Sequence, residues 1–114
     1  MEAKDKLFIL WTSGEKLTFD EMVFMYAYNS MKRQWWKEVT LIIWGASANL
    51  AGTDFIVQQK LKELNEVGVK LTACKGCADD LNFTETFEKL GVDVKYWGTP
   101  LTEVLKSEAK LITV

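Results

Sequence analysis

Short, continuously apolar runs alternate with helical periodicity along the whole chain. Lys6–Trp11 (Lys-Leu-Phe-Ile-Leu-Trp) is closed by Thr12-Ser13-Gly14. Such a run predicts a strand buried on both faces, as parallel sheets require. Phe19, Met22, Val23, Tyr26, Ala27 and Met31 then recur at helical spacing. Thr18 or Asp20 is the expected N-cap of this helix, with Glu21 in the first turn, where the helix dipole favours it. Val39–Trp44 predicts the second strand and Gly45-Ala46-Ser47-Ala48-Asn49 the turn after it. Val57, Leu61 and Leu64 form one stripe of the next helix. Two junctions echo each other, Glu66-Val67-Gly68-Val69-Lys70-Leu71 and Lys89-Leu90-Gly91-Val92-Asp93-Val94. In each, glycine suits the left-handed position just past a helix end, and a strand starts at once. The third strand is therefore Val69–Ala73 and the fourth Val92–Trp97, with a helix between them carrying Phe83, Phe87 and Leu90. Thr99-Pro100 reads as an N-cap followed by proline at the first helical position. A short helix through Leu101, Val104 and Leu105 and a fifth strand, Leu111–Val114, complete the pattern.

Five buried strands alternating with helices imply parallel βαβ units with right-handed crossovers, and a three-layer α/β/α fold with helices on both faces. The 114 residues fit a single domain, 1–114, with no linker or low-complexity segment. Sites in such sheets gather where the carboxyl ends of the strands meet their loops. Thr12–Lys16, Gly45–Asn49 and Cys74–Asp80 are the loops expected there.

Charge removes several function classes. The formal net charge is −2 and the two signs are mixed along the chain. A nucleic-acid surface needs a basic face, so no nucleic-acid partner is expected, and no anionic membrane surface either. No apolar run reaches the length of a membrane span. The start Met1-Glu2-Ala3-Lys4-Asp5-Lys6 lacks the apolar stretch of a signal peptide, so a cytoplasmic location is expected. Two cysteines in that compartment stay reduced. The chain has no histidine. That removes Ser-His-Asp and Cys-His catalysis and histidine metal sites, leaving cysteine, carboxylates, lysine, hydroxyls or the backbone to carry any mechanism.

Cys74-Lys75-Gly76-Cys77 directly follows the third strand. A free thiol of pKa ~8.5 is only about 3% ionised at pH 7. Unpaired amides at a helix start, together with Lys75, would raise that fraction, while Asp79 and Asp80 pull the other way. Gly76 lets backbone approach a bound atom closely. Free cysteines are also among the most buried residue types, so a purely structural role competes. Two further readings of CxxC are a thioredoxin-like redox pair and a shared zinc site. The first expects a mixed sheet and a cis-proline, whereas Pro100, the only proline, reads as a helix start. The second needs four ligands, and one chain offers two thiols. No metal site and no cofactor are expected. Gly45 and Ser47 could bind an anion at a helix start, or simply make a tight turn. Ser13 is a weaker candidate of the same kind. Trp35-Trp36, with Tyr26 and Tyr28, suggests an oligomer interface or partial burial.

Leu71-Thr72-Ala73-Cys74-Lys75-Gly76-Cys77-Ala78-Asp79 resembles the DsrE-like (DsrE/DsrF) family of small sulfur-relay proteins. So do Ile43-Trp44-Gly45-Ala46-Ser47-Ala48-Asn49-Leu50, Leu90-Gly91-Val92-Asp93-Val94-Lys95-Tyr96-Trp97-Gly98 and Pro100-Leu101-Thr102-Glu103. The resemblance implies a five-stranded parallel sheet of order 4-3-2-1-5 and assembly into homotrimers or homohexamers. It also implies a cysteine persulfide that hands its outer sulfur on, with Cys74 in the matching place. The expected partners are sulfur donor and acceptor proteins or small thiols. Cys77 occurs in only part of the family and would act as a resolving thiol, with Lys75, Gly76, Gly45, Ser47 and Ser13 around the sulfur. The alternative is an oligomeric ligand-binding or redox-sensing module without transferase activity.

Overall fold

Every strand of the sheet runs parallel to its neighbours. The computed structural model describes residues 5–114, and Met1–Lys4, part of the polar start discussed above, lie outside them. The strands are β1 (Lys6–Trp11), β2 (Glu38–Ile43), β3 (Lys70–Cys74), β4 (Asp93–Lys95) and β5 (Lys110–Thr113), in the order β4-β3-β2-β1-β5. The order is the one that the family resemblance implies. Helix α1 is continuous through Lys16–Thr18, Phe19–Phe24 and Met25–Lys32, its middle stretch π-wound. The others are α2 (Ala46–Thr53), α3 (Phe55–Glu66), α4 (Lys75–Asp80), α5 (Thr84–Lys89) and α6 (Gly98–Lys106).

Crossover handedness decides how the helices are shared between the faces. β1, β2, β3 and β4 follow one another in the same direction across the sheet, so right-handed connections place α1 to α5 on one face. The step from β4 to β5 returns across the whole sheet and sends α6 alone to the other. The first face holds the main core. There Leu7, Ile9, Trp11, Leu41, Ile43 and Ala73 meet Phe19, Val23, Val57, Leu61, Leu64 and Phe87, all buried. Strand register places Phe8, Ile42 and Thr72 on the second face. Trp97 closes over them: its ring meets Phe8 edge-on at 6.5 Å, and its Nε1 donates to Thr72 Oγ1 at 2.7 Å. Thr72 Oγ1 in turn donates to the Asp93 carbonyl at 2.8 Å. α6 has no fully buried residue. A groove of about 440 Å3 stays open on this face between Phe8, Thr40, Thr72, Lys95 and Trp97.

Several boundaries differ from the sequence expectation. α1 starts at Lys16 behind Glu15, not at Thr18 or Asp20, and no side chain caps it. Asp20 is instead ion-paired with Lys60 at 3.0 Å. α2 and α3 are separate helices because Asp54 turns extended and caps α3 through the Val57 N–H at 3.0 Å. Lys75–Asp80, expected as loop, is helix α4, and the expected helix through Phe83, Phe87 and Leu90 follows as α5. The two are parted where Asn82 adopts φ +61 and Phe83 N–H reaches the Ala78 carbonyl at 2.8 Å. That is a helix end closed by a left-handed asparagine. The fourth strand is three residues long, since Trp97 leaves the ladder to cover Phe8. α6 begins at Gly98, which puts Pro100 inside the first turn, where its missing N–H costs nothing. Gly68 and Gly91 take the expected left-handed conformation, φ +101 and +82.

Candidate functional site

Three loops meet at the carboxyl edge of the sheet, and each is locked by backbone hydrogen bonds. After β1, the N–H groups of Thr12 and Ser13 both donate to the Val114 carbonyl, at 2.7 and 3.2 Å. Ser13 Oγ accepts the Glu15 N–H at 3.1 Å, so it orders its own turn. After β2, Ser47 is fully buried and bonds inward. Its hydroxyl donates to the Trp11 carbonyl at 2.5 Å and accepts the Trp44 N–H at 3.0 Å. Ser47 thus clamps β1 to β2 and has no capacity left for an anion. Gly14 lies against the start of α2, where a Cβ would come within 3.2 Å of Ala46 Cβ.

The third loop brings the thiols. Cys74 is the last residue of β3, beside Lys95, and the backbone turns there (φ −66, ψ 120) straight into α4. The residue expected just past the strand is therefore part of it. Register sets Cys74 on the second face, whereas Cys77, three residues on, packs against the first-face core. The pair brackets the sheet edge. Both thiols are free, half-buried and close together. Cys74 makes no side-chain capping bond to α4. The amide that does reach a sulfur belongs to Gly45, whose N–H donates to Cys77 Sγ at 3.4 Å. Gly45 sits at φ +75, ψ −134, a conformation essentially closed to residues with a Cβ. Space is not the constraint, since nothing lies within 4 Å of where a Cβ would stand. Glycine is required because this backbone conformation aims the N–H across the edge. A Cβ on Gly76 would be 3.9 Å from Cys74 Sγ, so glycine there leaves that sulfur uncovered.

Electrostatics divides the site. Burial pushes the Cys77 thiol above its ordinary value, the Gly45 N–H pulls it back, and the neighbouring Cys74 and Asp80 add to the rise. Lys75 does not turn its charge toward sulfur. Its Nζ is 2.8 Å from Asp79 Oδ2 and 5.8 Å from the centroid of the Tyr96 ring. The Asp79 bond raises the Lys75 pKa, and the Lys75 and Thr84 bonds hold Asp79 below the usual carboxylate range. Tyr96, 68% exposed, borders the site and was not anticipated. The sequence expectation places it inside the fourth strand, Val92–Trp97, and in one of the segments that carry the family resemblance; the strand's early end at Lys95 is what brings it to the site. Among the described residues no third cysteine, aspartate or glutamate joins the thiols into a metal cluster. The all-parallel sheet also differs from the mixed sheet that a thioredoxin-like pair expects.

No family model and no curated protein matches the chain. Among solved structures, the ychN protein from E. coli superposes over the full length of both chains with a TM-score of 0.71 at 17% identity, which shows a shared fold. A conserved protein of unknown function, BT1422 from Bacteroides thetaiotaomicron, superposes with a TM-score of 0.97 at 41% identity, over 100% of this chain and 98% of that one. With that identity sustained across essentially the entire length of both chains, the protein belongs to the same family as BT1422.

Proposed function

We propose that the protein is a DsrE-like sulfur carrier in which Cys74 holds a persulfide. The observation that carries this reading is the pair of free, close, half-buried thiols at the carboxyl edge of a parallel sheet, with the Gly45 amide on one of them. The strand order and the fold shared with ychN agree with the family resemblance. In the loading step, Cys74 as thiolate attacks the outer sulfur of a donor persulfide. The donor S–S bond breaks, its electron pair leaves on the donor thiolate, and a new S–S bond forms on Cys74. An acceptor thiolate repeats the exchange and takes the outer sulfur away. Neither step changes the net oxidation state, and neither needs an external base once the thiol is ionised.

Cys77 offers a branch. Its thiolate can attack Cys74 Sγ of the persulfide, closing a Cys74–Cys77 disulfide and expelling hydrosulfide; the two thiols are oxidised as the outer sulfur is reduced. Burial keeps Cys77 protonated, which slows that branch and favours carriage. The small-thiol and protein partners, cytoplasmic location and homo-oligomeric assembly belong to this same reading. The test is uptake of sulfane sulfur from a persulfide donor, read as the mass gain of one sulfur atom on the peptide holding Cys74. Uptake is expected in the native chain and in Cys77→Ser, and absent in Cys74→Ser. A Cys74→Ser variant that still loads would refute the assignment. Closeness of the thiols also supports a redox-sensing reading. In that case oxidant would close the disulfide reversibly while persulfide donors left no adduct.

A further inference from the structure

The outer face of α1 uses residues that neither the core nor the thiol edge claims. Glu21, Met22, Met25, Tyr26, Asn29 and Trp35 line a shallow groove of about 300 Å3. Met25 is 47% and Trp35 56% exposed. Trp35 is held there by the helix end. Arg33 N–H bonds to the Asn29 carbonyl at 2.8 Å and Trp35 N–H to the Ser30 carbonyl at 2.9 Å, while Gln34 takes φ +57. A left-handed residue with a side chain is disfavoured, yet this chain adopts one. The result is that Trp35 folds back onto Tyr26, ring centroids 5.9 Å apart. The Tyr26 hydroxyl is itself fixed by accepting from Trp36 Nε1 at 3.1 Å. A rigid, half-exposed indole beside exposed methionines has the composition of an interface centre.

Charge identifies the occupant. The amino end of this stripe presents Glu21, with exposed Glu15 before it, and the carboxyl end presents exposed Lys32, Arg33 and Lys37. Other charges at the amino end are already matched inside the molecule, Lys16 by Asp54 and Asp20 by Lys60. Among the described residues neither Glu21 nor Arg33 is in an ion pair. Reversed end for end, the stripe is its own electrostatic complement. Glu21 and Arg33 are separated by about 18 Å of helix rise, and their midpoint falls beside Met25 and Tyr26. We infer that the outer face of α1 is a two-fold contact with a second copy of this chain. The helices run antiparallel, Glu21 meets the partner's Arg33, and Met25 and Trp35 close over the axis. This contact does not depend on the sulfur reading.

The experiment is the light-scattering mass of the whole chain after gel filtration. It compares the native protein, Glu21→Arg, Arg33→Glu and the double reversal, with circular dichroism confirming that each is folded. The native mass should be an even number of copies. Each single reversal breaks both symmetry-related pairs and should halve it, and the double reversal should restore it. Trp35→Ala is a second probe that removes no charge and should raise the dissociation constant at least tenfold. The contact is overturned by a native mass of one or an odd number of copies, which would leave the face to a different partner. It is also overturned by single reversals that keep the native mass, by a double reversal that stays at the halved mass, or by an unchanged constant for Trp35→Ala.

Discussion

Gly45 concentrates the chemistry of the site in one backbone amide. Replacing it by alanine meets no steric clash, so any loss must come from the backbone conformation itself. Gly45→Ala should cost about 1–3 kcal/mol of stability, read by urea denaturation. If the loop relaxes to escape that strain, the N–H leaves Cys77 Sγ and the thiol becomes still harder to ionise. Labelling of Cys77 by iodoacetamide, followed by peptide mass, checks this directly. In the native protein, labelling should be slow at neutral pH and climb only above the ordinary thiol range, because burial raises the folded-state pKa. The same shift gives stability that is present below the unfolded-state thiol pKa and lost as pH rises through the folded one. Fast labelling of Cys77 at pH 7 would contradict a thiol pKa raised by burial. At this scale the sequence was only partly legible. CxxC at a strand end was visible. That Lys75 turns to Asp79, and that Ser47 is consumed in holding Trp11 and Trp44, depends on distances between loops far apart in the chain.

Elements were legible where periodicity was long and fail where one residue intervenes. All five strands appear within a residue or two of expectation except β4, which loses its end to the packing of Trp97. Ala46–Thr53 and Lys75–Asp80 do not stand out as helices because neither short segment carries an apolar stripe; each stops at one residue, Asp54 or Asn82, and the expected stripe begins only beyond it. Two helical glycines now make opposite predictions. A Cβ on Gly52, in α2, would lie 2.2 Å from the Phe83 ring. Gly52→Ala should therefore destabilise by roughly 1–3 kcal/mol through overpacking, despite alanine's better helix propensity. Gly98, at the start of α6, has nothing within 4 Å of a Cβ. Gly98→Ala should be neutral or stabilising by up to about 1 kcal/mol. Chemical denaturation of the two variants side by side tests both statements, and equal effects would mean that contact with Phe83 does not decide the first.

At the level of the whole molecule the sheet is dressed unequally, five helices against one. Local opening should follow that asymmetry. Amides of α6 should exchange with solvent well before those of α3 or β2, since α6 buries no residue completely. Trp97 anchors the thin side, almost wholly buried and hydrogen-bonded to Thr72. Trp97→Ala should cost about 3–5 kcal/mol, a large share of the 5–15 kcal/mol typical of a domain. Hydrogen exchange and thermal melting read these two outcomes. A small loss for Trp97→Ala would mean that the second face contributes little to holding the sheet. The alternation of strands and helices announced an α/β fold from the sequence alone, and the resemblance supplied the strand order. The uneven layering follows from that order once crossovers are right-handed, but no local pattern of residues displays it.

The unequal layers also bear on how freely β1 tolerates replacement. Its side chains alternate between full and partial burial along Lys6–Trp11. Leu7, Ile9 and Trp11 face the crowded side, and Phe8 and Leu10 face the side guarded by a single helix. A saturation-mutagenesis map of the strand should therefore show an every-other-residue rhythm, with odd positions accepting almost nothing and even ones admitting polar or larger substituents. Such latitude would let lineages restyle one surface of the protein while its opposite side stayed frozen.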